Sequence, residues 1–168
     1  MVDGGMQEME ADLLGWRKGV VQLVLNRTAK KNSIGRKLLS DLERCIQEIN
    51  AMPAGDARVV VVRSAPGGNA FCAGADLKER KTMTPDEARL FVVRLRAAFS
   101  SIEKLPMPTI AAIDGFALGG GLELALSCDL RYSGEDSSIF PSRLTSTLCF
   151  TFDLDPDHVK RFPRPHGS

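Results

Sequence analysis

The sequence predicts an α/β domain built on a mostly parallel sheet. Three observations carry that expectation. Short β-branched runs alternate with amphipathic helical segments as far as Phe140. One of those runs, within Ala57–Arg63, holds four consecutive valines, the pattern of a strand covered on both faces. The two later runs each lead into a turn of glycine and alanine, which suits close approach of backbone to backbone or to a ligand.

Val20–Leu25 (VVQLVL) reads as a strand that ends in a turn at Asn26-Arg27-Thr28. Ser33 is placed to cap a helix whose apolar residues Ile34, Leu38, Leu42, Ile46 and Ile49 recur every three or four positions. That helix is expected to stop near Met52, ahead of Pro53. After the valine strand, Pro66–Asn69 turns the chain. Thr84-Pro85-Asp86-Glu87 forms a capping box with proline at the first helical position, and Phe91, Leu95, Ala98, Phe99 and Ile102 form one stripe behind it. Pro108–Asp114 reads as a further buried strand, followed by a glycine turn and a helix from Leu122 to about Ser127.

The 168 residues are 43% hydrophobic and 26% charged, an ordinary globular composition long enough for one core. Twenty-two Lys+Arg against 21 Asp+Glu leave a formal charge of +1, too small a field to gather nucleic acid or membrane non-specifically. No run is long and apolar enough for a membrane span. Cys45, Cys72, Cys128 and Cys149 lack CxxC spacing and read as reduced core thiols of a cell interior. The acidic start MVDGGMQEMEADLLG has neither the order of a signal peptide nor the Arg-rich character of a transit peptide. His158 and His166 are not ligand-spaced, and Cys72 has no histidine base beside it.

The chemistry concentrates in Asp114–Cys128, DGFALGGGLELALSC. Three glycines between a buried strand and a helix expose the first helical amides, which have no internal partner and suit a negative charge or a developing oxyanion. The spacing is neither GxGxxG nor that of a P-loop, because no Gly-Lys-Ser/Thr follows. The glycines could equally serve only close packing of helix on sheet. Glu123 is either a surface carboxylate favouring the helix start or, if turned into a cleft, a general acid/base whose pKa burial raises and the helix dipole lowers. Asn69–Arg80 (NAFCAGADLKER) repeats the design with Cys72, Ala73, Gly74 and Ala75, and Asp76 is a candidate N-cap for Leu77–Arg80.

Together, FCAGADLKER at 71–80 and PTIAAIDGFALGGGLELALSCDLR at 108–131 resemble the two signature regions of the enoyl-CoA hydratase/isomerase, or crotonase, superfamily. The resemblance runs from about 15 to 140 and includes Leu25-Asn26-Arg27 and Lys31-Asn32-Ser33. It implies a crotonase-like fold of ββα units, incomplete at the carboxy terminus. It also implies an oxyanion hole made by the amides of Ala73 and Gly120, around the thioester carbonyl of an acyl-CoA. Ala73, Gly74, Ala75, Asp76, Gly119 and Gly120 would line the CoA thioester, and Glu123 matches the first of two glutamates that activate water in the hydratases. No metal and no separate cofactor are implied, coenzyme A being part of the substrate. The motifs look most similar to the methylglutaconyl-CoA hydratase branch, which implies a mitochondrial matrix enzyme of fatty-acid or leucine breakdown, failing that a cytoplasmic one. The family's partners are further copies of the chain, in trimers or hexamers.

The chain departs from the pattern after Phe140. No glutamate occurs after Glu135, where the family's second catalytic glutamate is expected, and residues 141–168 hold four of the nine prolines and both histidines. The expected organisation is a flexible amino terminus (1–14), the amino-terminal part of a crotonase-like domain (15–140) and a divergent, poorly ordered tail (141–168), as in a truncated product with weak or no hydratase activity. A non-catalytic acyl-CoA binder or modulatory subunit is the alternative. RNA binding through Arg27, Lys30, Lys31, Arg36 and Lys37 is weaker, since Asp41, Glu43 and Glu48 interrupt the cluster.

Overall fold

Each β-branched run of the sequence becomes a strand because branched side chains fit the pleated surface, and each amphipathic stretch packs its stripe against them. The computed structural model describes residues 9–13, 19–134, 137–140 and 159–162. In chain order the elements are β1 (Met9–Leu13), β2 (Val20–Leu25), α1 (Arg36–Asn50), β3 (Val59–Ser64), β4 (Ala70–Cys72), α2 (Leu77–Arg80), α3 (Pro85–Glu103), β5 (Thr109–Ile113), β6 (Phe116–Leu118), α4 (Gly120–Leu126), β7 (Leu130–Gly134), β8 (Ser138–Phe140) and β9 (Val159–Phe162).

One sheet has the order β1-β2-β3-β5-β7-β9, antiparallel only between β1 and β2. A second, parallel sheet has the order β4-β6-β8. The α/β class with mostly parallel strands is therefore as the sequence predicts. β3, β5 and β7 of the large sheet each lead directly into a short strand of the small one, β4, β6 and β8 in turn. Because β4 and β6 are neighbours, the turns that leave them, at 73–76 and 119–121, end side by side.

The core forms between one face of the large sheet and the helices. Val21, Leu23, Leu25, Val60, Val62, Ala111 and Ile113 meet the α1 stripe of Leu38, Leu39, Leu42, Cys45, Ile46 and Ile49 and the α3 stripe of Phe91, Leu95, Ala98, Phe99 and Ile102. Phe71, Cys72 and Ala117 of the small sheet and Leu124 and Ala125 of α4 complete the cluster.

Several expectations are corrected. The valine strand is not covered on both faces: Val60 and Val62 are fully buried while Val59 and Val61 are half-buried, so the β-branched run reflects backbone preference as much as burial. Ser33 does not cap α1. Ile34 is held in a parallel bridge to Ala75, which delays the helix to Arg36, and its first amide is satisfied from elsewhere: Arg36 N donates to Glu79 Oε1 at 3.0 Å. Of the amino-terminal segment and the divergent tail, the described residues are Met9–Leu13, which pairs with β2, and Val159–Phe162, which pairs with β7; these leave the expected organisation of the chain as it stands. The rest of that tail, with Cys149, His158 and His166, lies outside the described residues.

The capping box stands as read: Glu87 N donates to Thr84 Oγ1 at 3.2 Å and Thr84 N to a Glu87 carboxylate oxygen at 2.8 Å. Replacing the cap, Thr84→Ala, is expected to lower unfolding free energy by about 1 kcal/mol in urea titration, without changing the slope of the transition.

Candidate active site

The site is assembled from two turns and the loop that braces one of them. After β2 the chain makes a short 3-10 turn at Thr28–Lys30, and Lys31 and Asn32 adopt left-handed conformations with φ of 54° and 52°. Residues 31–34 then run alongside 72–76. Ala73 N donates to Lys31 O at 3.0 Å, Ile34 N to Gly74 O at 2.7 Å and Asp76 N to Ile34 O at 3.0 Å.

This pairing decides which amide of the 73–76 turn can meet a ligand. In a parallel bridge, the residue opposite Ile34 directs its own N–H and C=O to the far side. That residue is Ala75. In a regular strand Ala73 and Ala75 would point the same way, but Gly74, with φ +85°, breaks the alternation. The amide of Ala73 is thus spent on the loop, whereas that of Ala75 faces the glycine turn. Sequence reading assigned the oxyanion donor to Ala73. In this structure the Ala73 amide is bonded to Lys31 O, while the Ala75 amide lies on the side of Gly120.

The three glycines have three separate reasons. Gly119 takes φ 49° and ψ −119°, a conformation open essentially to glycine. A Cβ on Gly121 would meet the backbone of Cys72 and stand 2.7 Å from its Cβ, so this glycine lets α4 press on β4. A Cβ on Gly120 would stand at ordinary contact distances, 3.6 Å from Ile34 Cδ1 and 3.8 Å from Ala75 N and Gly74 Cα. Gly120 therefore answers to the space over the two amides rather than to the fold. Gly74 closes the pair from the other side: a Cβ there would stand 2.6 Å from Leu118 O and 3.2 Å from Gly120 N. Helix α4 begins at Gly120, two residues earlier than expected, which puts Gly120 N among the amides without an intrahelical acceptor.

Asp76 is the N-cap of α2. Its Oδ1 accepts from Lys78 N and Glu79 N, both at 3.1 Å, and its Oδ2 from Arg27 at 2.9 Å. Burial alone would raise this carboxyl, but the Glu79 amide and the Arg27 guanidinium outweigh it and hold the group below the usual carboxylate range. Its side chain is committed to the turn, so its place in the site is structural.

Glu123 lies in the first turn of α4 and stays accessible to solvent. Partial burial of its carboxyl raises the pKa, and the positive charge of Arg96 on α3 opposes the rise. Cys72, adjacent to the site, is fully buried, its thiol pushed up to about 12 by burial and donating to Asn32 O at 3.0 Å. It is a packing residue and not a nucleophile. The cations singled out for RNA are largely occupied: Arg27 pairs with Asp76, Arg36 lies 3.6 Å from Glu79 and 3.5 Å from Glu87, Lys37 lies 3.4 Å from Asp41, and Lys31 Nζ sits 5.5 Å over the Phe116 ring. Among the described residues no helix is long and apolar enough to cross a membrane. Glu135, the last glutamate of the sequence, lies outside the described residues.

Residues 15–146 match the enoyl-CoA hydratase/isomerase family. The chain is 45% identical over 125 residues to the mitochondrial enoyl-CoA hydratase domain-containing protein 2 of Bos taurus, covering 74% of this chain and 41% of that protein. It is 44% identical over 122 residues to the mitochondrial methylglutaconyl-CoA hydratase of Homo sapiens, covering 73% of this chain and 35% of that protein. The fold superposes on the crystal structure of enoyl-CoA hydratase from Bacillus anthracis with a TM-score of 0.74 and 41% identity, over 80% of this chain and 50% of that one. The chain thus spans half or less of the length of these relatives.

Two measurements check the geometry. Gly121→Ala is expected to destabilise the chain by about 1–3 kcal/mol in urea, as overpacking does, whereas Gly120→Ala should leave stability within about 1 kcal/mol of wild type. For Glu123, ionisation opposes folding because the folded pKa is raised. The penalty is absent below the unfolded value of about 4.3 and grows as pH rises through it toward the raised value. Glu123→Gln should therefore raise the melting temperature at pH 7 and leave it unchanged well below pH 4.

Proposed function

The chain belongs to the enoyl-CoA hydratase/isomerase family, and from that premise we propose that it binds an α,β-unsaturated acyl-CoA, with the thioester carbonyl between the amides of Gly120 and Ala75. The observation that carries this reading is the pairing of those two amides across the space that Gly120 leaves open, with Glu123 on the same short helix. Two fixed donors favour the carbonyl oxygen most when it carries the charge of an enolate, so they assist any reaction that places charge there.

In hydration, a water oxygen bonds to the β-carbon and the double-bond electrons move through the α-carbon to the thioester oxygen. A carboxylate removes the water's proton, and a proton is then delivered to the α-carbon as the carbonyl re-forms. Glu123 supplies a carboxyl for this traffic, and its raised pKa keeps a proton at higher pH than an ordinary glutamate would. The hydratases that the sequence resembles divide the work between two glutamates. Here Glu123 stands without a glutamate after position 135 to share it. This chain by itself accordingly binds acyl-CoA and hydrates it weakly. The mitochondrial relatives support a role in that compartment, and the proposed role there is in the breakdown of fatty or branched-chain acyl groups.

A second reading, a non-catalytic acyl-CoA binder that joins other copies of the family, is favoured by the same single carboxylate. It is favoured also by apolar side chains left in solvent: Leu90 and Val93 on α3 are 60% and 56% exposed and Leu77 is 59% exposed.

The deciding experiment is calorimetric titration of the 168-residue chain with crotonyl-CoA, together with a hydration assay. Binding is expected, with turnover about 10²- to 10⁴-fold below that of a two-glutamate hydratase assayed alongside. Turnover equal to that hydratase would contradict the single-carboxylate account, and absence of binding would remove the acyl-CoA reading.

A further inference from the structure

Asn32 is a fully buried polar residue outside the proposed reacting groups, and its side chain is completely used. Oδ1 accepts from Arg27 N at 2.8 Å, while Nδ2 donates to Ala70 O at 3.2 Å and Phe71 O at 3.0 Å. Its own carbonyl accepts from Cys72 Sγ, and its neighbours Lys31 and Ile34 make the three backbone bonds that hold 73–76. Side chain and carbonyl of this one residue therefore join the turn after β2 to all three residues of β4, immediately ahead of the turn that holds Ala75. The strand it fastens is only three residues long and its pairing with β6 carries a register shift, so these bonds add a fixed attachment for it.

We propose that Asn32 is a positioning residue for the oxyanion donor at Ala75: its side chain fixes the 70–76 segment and so aims the Ala75 amide at the thioester carbonyl. Arg27 is its partner in this task, since its guanidinium bridges Ser33 O at 2.8 Å and Asp76 Oδ2 at 2.9 Å, closing the far end of the same segment. A donor held loosely loses polarising power long before it loses the ligand, because charge stabilisation depends on alignment more steeply than does the apolar contact of the acyl chain. This inference rests on the acyl-CoA reading above.

The test uses the full chain and crotonyl-CoA carrying ¹³C at the thioester carbon, with the carbonyl stretch read by isotope-edited infrared spectroscopy. Binding to wild type should lower the stretching frequency. Asn32→Gly keeps the left-handed backbone and removes only the side chain. It is expected to lose about half or more of that lowering, while affinity for free coenzyme A stays within about threefold. Where Asn32→Gly does not fold, Arg27→Met is read in the same way. A folded variant with the wild-type frequency overturns the positioning role and leaves the acyl-CoA reading standing, even if its melting temperature falls. Wild type that binds crotonyl-CoA without any change in frequency, or does not bind it, removes the reading itself and the inference with it.

Discussion

The run of hydrogen bonds between residues 31–34 and 72–76 is the constraint on which the rest of the site depends. It consumes the amides of Ala73 and Asp76 and the carbonyl of Gly74. With the alternation broken by one left-handed glycine, the amide of Ala75 is turned outward. Were Gly74 replaced by any residue with a side chain, the φ of +85° would be strained and the new Cβ would stand 2.6 Å from Leu118 O, so the two turns could not stand against each other as they do. The placement of the Ala75 and Gly120 amides is thus a property of loop and turn together, and neither segment makes it alone.

Energetically the arrangement is inexpensive to hold. The polar atoms it buries, chiefly those of Asn32 and the carbonyls it contacts, are satisfied, so no desolvation cost is left standing. The ion pair of Arg27 and Asp76 is only 17% and 12% exposed, and both partners make further hydrogen bonds, which separates it from surface pairs of little worth. Two aligned amides are the kind of preorganised donor whose loss costs about 10²- to 10³-fold in rate per donor in acyl transfer. On the proposed reading, both amides and Glu123 are kept, so binding and polarisation of the carbonyl are expected to outlast proton transfer.

Much of the fold is legible in the sequence, because the signals are local. Thr84-Pro85-Asp86-Glu87 and the stripe from Phe91 to Ile102 lie within one helix, and alternation of strands with helices gives the parallel class directly. The glycine turn is legible as a place of bare backbone, and Glu123 as the carboxylate beside it. What escapes is non-local. The partners of Asn32 lie 38 and 39 residues further along the chain, and no pattern near Lys31-Asn32-Ser33 announces them. The same bridge to Ala75 denies Ser33 its capping role and leaves the Ala73 amide bonded to Lys31 O, because a one-position change of alternation is set by the φ of Gly74 and not by composition. The valine run misleads in a different way: branched residues favour extended backbone whether or not both faces are covered, and here alternate valines remain half-buried.

The central claim, that Ala75 and Gly120 supply the two donors while Ala73 does not, is tested most directly by amide resonances of the ¹⁵N-labelled chain titrated with acetoacetyl-CoA, whose enolate oxygen demands such donors. The account predicts that the Ala75 and Gly120 N–H protons move strongly downfield on binding and that the Ala73 proton, already bonded to Lys31 O, stays where it was. Movement of Ala73 with a stationary Ala75 would contradict it.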